Sequence, residues 1–146
     1  MKFKVKSINI SEKKGIQKTP VPSASFKAGH GIEGDAHAGD WHRQVSFLSD
    51  EAVDTMRNRA GDFKIKPGDF GENIVTLGIN WGEVQVGGKI LIGEVEFDVT
   101  QIGKECHSGC AIFEAVGDCI MPRQGIFTKV IKGGTIHAGD SGHYSF

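Results

Sequence analysis

The sequence predicts a mainly β chain with a few short helices, its strands antiparallel and arranged as a barrel or a sandwich. Three observations carry this. Short β-rich runs recur, and in Val95-Glu96-Phe97-Asp98-Val99 apolar residues alternate with charge, the period-2 pattern of a strand with one face on a core. Twenty-one glycines fall singly and in pairs between these runs without a period, which suits many tight turns. One clear amphipathic helix pattern interrupts them, near residues 50–60.

In chain order, Phe3 and Val5 alternate with lysines, and Ile8 and Ile10 continue in shifted phase, so a first strand with a bulge near Ser7 is expected. Lys13-Lys14-Gly15 turns the chain, and Ile16 to Val21 returns as a second strand, with Pro20 and Pro22 marking an edge. Gly29 to Trp41 holds four glycines among histidine and aspartate and reads as a long loop. A helix is expected from about Asp50 to Ala60: Ser49 caps it, Asp50 and Glu51 suit its positive end, and Ala52, Val53, Met56 and Ala60 share a face. Asn73 to Thr76, Lys89 to Ile92 and Val95 to Val99 follow as strands. Cys110 to Val116 fits one or two helical turns closed by Gly117, and Gly125 to Ile131 and Thr135 to Tyr144 supply the last strands.

A chain of 146 residues suits one domain spanning the whole sequence. Seventeen basic against 18 acidic residues, without a run of one sign, point away from nucleic acid or membrane as partners. The first ten residues lack the apolar stretch of a signal peptide, and no segment approaches the roughly 18 apolar residues of a membrane span. Three cysteines without a secretion signal are a poor disulfide framework, so a cytoplasmic setting with reduced thiols is expected.

The chemistry is expected in Gln101-Ile-Gly-Lys104-Glu-Cys106-His107-Ser-Gly-Cys110. The thiolate is the nucleophile and soft-metal ligand, and cations or a helix N-terminus favour it. Cys119, beside Ile120 and Met121, reads instead as a small buried hydrophobe. The loop from Gly31 to Arg43 brings Asp35, Asp40, His37 and His42 within a few residues, as a proton shuttle, a metal site or a set of turn caps. Pro67-Gly68-Asp69-Phe70-Gly71-Glu72-Asn73 is either a plain turn or a cradle of backbone N–H groups for an anion. Arg123, after Pro122, either presents a fixed guanidinium to an oxoanion or is solvated.

Together these segments resemble the MOSC family, named for the C-terminal domain of molybdenum cofactor sulfurase. The residues that carry the resemblance are Gly31-Ile-Glu-Gly-Asp-Ala-His37 with Arg43-Gln-Val-Ser-Phe-Leu48, Gly68-Asp-Phe-Gly-Glu-Asn-Ile74, Thr100 to Cys106 with Cys110-Ala-Ile, and Met121-Pro-Arg-Gln-Gly-Ile-Phe127 leading to Gly139-Asp140. The resemblance implies a closed, mostly antiparallel β-barrel like the barrel domain of pyruvate kinase. It further implies a cysteine that carries sulfur as a persulfide or ligates molybdenum, and a family association with pyridoxal phosphate. Counting from Gln101, the Q-x-x-x-x-C pattern of one bacterial branch lands on Cys106; the cysteine and apolar run of the amidoxime reducers lands on Cys110, which is preferred for its place before an apolar turn.

By the same resemblance, Cys110, Cys106 and His37 are the catalytic candidates, with both cysteines as metal ligands. Asp35, Arg43, Gly71, Glu72, Asn73, Gln101, Lys104 and Arg123 are the candidates for holding a molybdenum cofactor (molybdopterin). The added N-terminal β domain of the amidoxime reducers and the helical C-terminal segment of another branch are not in these 146 residues. The expectation is therefore an incomplete pterin site, in which the loop Gly29 to Arg43 and Arg123 bind part of the pterin phosphate or a partner protein completes the pocket. Three functions follow in order of preference: a sulfur carrier of molybdenum or tungsten cofactor metabolism, fed by a cysteine desulfurase and serving a cofactor-biosynthesis or molybdoenzyme partner; a molybdenum-dependent oxidoreductase reducing N-hydroxylated compounds; and a non-catalytic zinc module built on His37, His42, Cys106 and His107.

Overall fold

The structure is a computed structural model and describes residues 1–14, 16–59, 61, 64–103 and 125–146. Its strands in chain order are β1 (Lys2–Ile10), β2 (Thr19–Val21), β3 (Ser23–Lys27), β4 (Gly31–Ile32), β5 (Val45–Ser49), β6 (Ile74–Leu77), β7 (Lys89–Ile92), β8 (Val95–Ile102), β9 (Ile126–Lys132), β10 (Gly134–His137) and β11 (Ser141–Ser145). Helix α1 (Asp50–Arg57) lies between β5 and β6. Seven strands close in the order β1-β6-β5-β9-β8-β7-β11, with β11 returning to β1. Every neighbouring pair in this barrel is antiparallel except β5 with β6, whose parallel pairing needs the long connection that α1 supplies.

Closure follows from the side-chain pattern. Val95, Phe97 and Val99 of β8 and Ile90 and Ile92 of β7 point into one core, and the bulge between Val5 and Ser7 lets β1 place Phe3, Val5 and Ile8 there as well. The interior is filled by aromatic rings: Phe47 meets Phe97 edge-on at 5.2 Å and Trp81 at 5.7 Å, and Trp81 meets Phe3 in a tilted contact at 5.5 Å. The polar atom of the indole is satisfied, Trp81 Nε1 donating to Thr76 Oγ1 at 2.9 Å. Opposite Phe3, Gly142 leaves its face bare for the ring; a Cβ there would lie 2.3 Å from a Phe3 ring carbon. A second sheet, β10-β3-β4, contributes Phe26, Ile32 and Ile136 to the same core.

On the outer side of β5, Leu48 packs with Ala52, Val53 and Met56 of α1 and with Phe70 and Phe127. Ser49 caps the helix, accepting from Ala52 N at 3.1 Å. The helix ends at Arg57 rather than Ala60: the N–H of Asn58 closes the last α-helical turn onto Asp54 O, that of Arg59 makes a tighter turn onto Met56 O, and Gly61 takes a positive φ of 60°. β5 is buried on both faces, so its sequence lacks the alternation that marks a strand, and it is not foreseen from pattern. β3 and β4 are too short and polar to signal themselves, and the run from Thr135 to Tyr144 is two strands of different sheets, parted by a turn at Ala138–Asp140. The helical turns expected at Cys110 to Val116 lie outside the described residues.

Phe47 is fully buried at the junction of the aromatic rings. Phe47→Ala is expected to lower stability by about 3–5 kcal/mol, read as a lower urea midpoint with the fold retained in far-UV circular dichroism. A loss under about 1 kcal/mol would mean that the barrel interior re-packs freely.

Candidate functional site

A cleft of about 260 Å³ opens on the outer face of β5 and β9, lined by Lys14, His37, Trp41, Arg43, Ser46, Gly71, Asn73 and Phe127. Its floor is barrel: Ser46 and Phe127 face each other across the β5–β9 ladder. Its walls are the loops before β2, between β4 and β5, and before β6.

Asn73 ties three strands together at the base. Its Oδ1 accepts from Ser46 N at 3.0 Å, its N–H donates to Ser46 Oγ at 3.0 Å, and its Nδ2 donates to Asn9 O at 3.1 Å. A buried amide satisfied from both sides fixes the ends of β1, β5 and β6 relative to one another.

The glycine turn at 67–71 directs two of its amides inward. Gly68 N and Phe70 N donate to the two carboxylate oxygens of Glu72 at 3.0 and 3.1 Å, and Gly71 N closes on Gly68 O at 2.9 Å. The anion in this cradle is thus the chain's own Glu72, which is 1% exposed. Burial pushes its carboxyl up to about 7, against the backbone N–H groups that favour the charged form. Gly68 is required twice over: its φ is 92°, and a Cβ would meet Lys18 O at 2.2 Å.

Asp35 and His37 are held by a residue that carries no sequence signal, Lys18. Its side chain is 1% exposed and its ammonium lies 2.6 Å from Asp35 Oδ1, 2.9 Å from His37 Nδ1 and 3.2 Å from Ser11 Oγ. Asp35 also accepts from Ser11 N at 3.1 Å and His37 N at 3.2 Å. Lysine is almost never buried, so no pattern in Lys13 to Pro20 reveals it.

Trp41 is the hub of the wall. It stacks on His37 at 6.5 Å and 15°, donates from Nε1 to His37 O at 2.7 Å, and meets His42 edge-on at 5.9 Å. The Arg43 guanidinium lies 4.7 Å from its ring and 5.7 Å from that of Phe127, while Lys14 Nζ lies 5.5 Å from Trp41. Arg43 Nε is buried and has no hydrogen-bond partner among the described residues. Lys14 and Arg43 bring two cations, and among the described residues no carboxylate lines the cleft. Such a site suits an anionic group with a flat portion beside it.

Gln101 joins the loop before β5 to β8, its Oε1 accepting from His42 Nε2 at 2.7 Å and its Nε2 donating to Gly103 O at 2.7 Å. Asp40 is exposed. Gly103 and Gly125, which flank residues 104–124, are joined N to O at 2.7 Å, and Gly125 is two residues from Phe127 of the cleft. Lys104, Cys106, His107, Cys110, Cys119 and Arg123 lie outside the described residues. Of the sequence candidates the structure therefore gathers His37, Arg43, Gly71 and Asn73 into one cleft, with Asp35 and Glu72 buried behind it. His37 and His42 flank Trp41 with different partners, and among the described residues no group of three potential metal ligands converges. Trp41, Ser46, Phe127 and Lys14 complete the cleft without having been singled out, since two are strand residues and Lys14 lies in an ordinary turn. No helix among the described residues is long and apolar enough to cross a membrane.

A family model described as the MOSC domain matches residues 34–142. No curated protein matches the chain by sequence. The crystal structure of the YUAD protein from Bacillus subtilis aligns over 100% of this chain and 97% of its own, at 19% identity and a TM-score of 0.83. YiiM from Geobacillus stearothermophilus aligns over 99% of this chain and 75% of its own, at 21% identity and a TM-score of 0.74. YiiM from Escherichia coli aligns over 100% and 70%, at 18% identity and a TM-score of 0.70. At these identities the likeness is one of fold.

Two outcomes test the site. Arg43→Ala is expected to weaken binding of inorganic phosphate about tenfold or more, the worth of a charge-assisted hydrogen bond, and Arg43→Lys to restore only part of it because the planar stacking is lost. Trp41 fluorescence reads the binding, Trp81 being buried in the barrel; equal affinity in all three proteins would remove Arg43 from anion recognition. For Glu72, a folded-state pKa raised from 4.5 to about 7 means stability that is full below pH 4.5 and lost as pH rises through 7. Urea midpoints of Glu72→Gln should lack that decline between about pH 5 and 8, and parallel profiles for both proteins would show that burial does not raise this carboxyl.

Proposed function

The chain belongs to the MOSC domain family, and from that premise we propose that it works in molybdenum or tungsten cofactor metabolism as a sulfur carrier, with Cys110 or Cys106 as the carrying thiol. One observation supports this reading above the others. The cysteine-bearing stretch is flanked by Gly103 and Gly125, hydrogen-bonded to each other at 2.7 Å, and Gly125 is two residues from Phe127 of a cleft whose cations, Lys14 and Arg43, suit an anionic cofactor. A phosphate-bearing pterin has the two parts the cleft recognises, an anion for Arg43 and Lys14 and a flat ring system for the Trp41 and Phe127 faces.

In this reading the chain's own residues bind and orient, and the cysteine supplies the covalent chemistry. The thiolate attacks the terminal sulfur of a desulfurase persulfide; the S–S bond of the donor breaks, a new one forms on the cysteine, and the donor leaves as a thiolate. No net oxidation occurs in that exchange. The same cleft would serve the second reading, in which Cys110 or Cys106 would hold a resident molybdenum cofactor and that cofactor would supply redox chemistry when bound.

Incubation with a cysteine desulfurase and cysteine is expected to add the mass of one sulfur atom to the chain, and Cys110→Ser or Cys106→Ser to abolish it. No adduct on either cysteine would refute the carrier role. Stoichiometric molybdenum in protein isolated from a cofactor-competent host, without a sulfur adduct, would establish the oxidoreductase reading in its place.

A further inference from the structure

We propose that Gln101 is a positioning residue: by way of a bulge in β8 it ties Gly103, where the cysteine-bearing stretch begins, to the wall of the cleft, and so keeps the Cys106 thiol close to the anion site of Arg43. The inference rests on the reading that this stretch carries the reacting thiol and that the cleft takes an anion.

Burial alternates along β8, with Val95, Phe97 and Val99 in the barrel core, and Gln101 is the next residue in that phase. It escapes the core because the register slips: Val99 stands opposite Thr128 and Gln101 opposite Phe127, which leaves Thr100 as an extra residue. Thr100 and Gln101 are both half-buried and both reach His42, in the loop between β4 and β5. The Thr100 hydroxyl donates to the His42 carbonyl, and Gln101 takes the ring. Regular alternation would send two consecutive side chains to opposite faces, so the bulge is what aims both at one loop residue.

The Gln101 amide has its two ends on two different parts of the site. Gly103 O only accepts, so the Gln101 nitrogen 2.7 Å away is the NH₂ group, and Oε1 is left to accept from His42 Nε2 at 2.7 Å. On the His42 side, the ring meets Trp41 edge-on at 5.9 Å, and Trp41 carries the Arg43 guanidinium at 4.7 Å. On the other side, Gly103 N donates to Gly125 O at 2.7 Å, which joins the two flanks of the stretch. Cys106 follows Gly103 by three residues, a span of at most about 11 Å, whereas Cys110 follows by seven, at most about 25 Å. Fixing Gly103 therefore constrains Cys106 closely and Cys110 loosely. A tethered group gains effective concentration at its target, and a lost tether removes that gain while leaving the group's own reactivity intact.

Alkylation of the full chain by iodoacetate, an anion, and by iodoacetamide, its neutral counterpart, tests this, with each modified cysteine located by mass spectrometry. In the ratio of the two rates at Cys106 the nucleophilicity of the thiol cancels and the pull of the cleft on the anion remains. That ratio is expected to be about tenfold higher in the folded chain than in urea, and Arg43→Ala should abolish the excess. Gln101→Ala should lower it about fivefold and His42→Ala as much, the double variant falling no further. Gln101→Glu, which keeps an acceptor for His42 but loses the donor to Gly103 O, should behave as Gln101→Ala does. An equal ratio in wild type and a folded Gln101→Ala overturns the proposal, as do additive losses in the double variant, an excess that Arg43→Ala leaves intact, or a Cys106 that neither reagent modifies. Should Gln101→Ala not fold, His42→Ala, which opens the same link from the loop, decides by the same criterion. An alkylation pattern as expected in a chain that takes no sulfur from a desulfurase refutes the carrier role and leaves Gln101 as the residue that positions the thiol.

Discussion

The salt bridge between Lys18 and Asp35, 2.6 Å long and closed to solvent, is the contact on which the site depends. Around it meet three stretches with little apolar content of their own. Lys18 joins the turn at Gly68 through its backbone and reaches Ser11 through its side chain. Asp35 returns two contacts, to the N–H groups of Ser11 and His37, and Ala36 N adds a third link to Ser11 O at 2.8 Å. An ion stranded in a dry interior costs several kcal/mol. The loops therefore assemble together, and what they assemble is the wall that carries His37, Trp41 and Arg43.

The barrel performs a different task. Its aromatic interior resists deformation because close-packed rings leave no room to relax, and that rigidity passes to the outer face through the ladder. Ser46 and Phe127 are presented on adjacent strands, and Asn73 clamps the strand ends beneath them. A precise floor on strands and a chemically varied wall on loops is the usual division between scaffold and site. The likeness to the YUAD and YiiM folds at 18–21% identity fits this: the scaffold asks for apolar alternation and glycine turns, which many sequences satisfy.

The electrostatic layering of the site also has a physical logic. Lys18 and Asp35 cancel each other behind the wall, and Glu72 binds its own backbone cradle. Among the described residues, the charges that remain at the cleft are those of Lys14 and Arg43, each set against the face of Trp41. Stacking on an aromatic face holds a cation in place while leaving its hydrogen-bond donors for a ligand. The flanks of the cysteine-bearing stretch lie beside this field, where a thiolate and an anionic partner both gain from nearby cations.

Much of the fold is legible in the residues themselves. The alternation in β8, the phase shift in β1 and the Ser49 cap are local patterns with local causes, and each is where the sequence places it. His37, Arg43, Gly71 and Asn73 could be singled out because polar residues amid glycine are unusual, and the resemblance to MOSC proteins joined them into one set. Only the tertiary structure decided that Glu72 fills the cradle its neighbours form, that β5 runs parallel to β6, and that Lys18 is buried beneath His37. The reason is the same in each case. A local pattern reports what a residue prefers in water, whereas a buried charge or a doubly covered strand is stable only through partners distant in the chain, and nothing in its immediate neighbours encodes them.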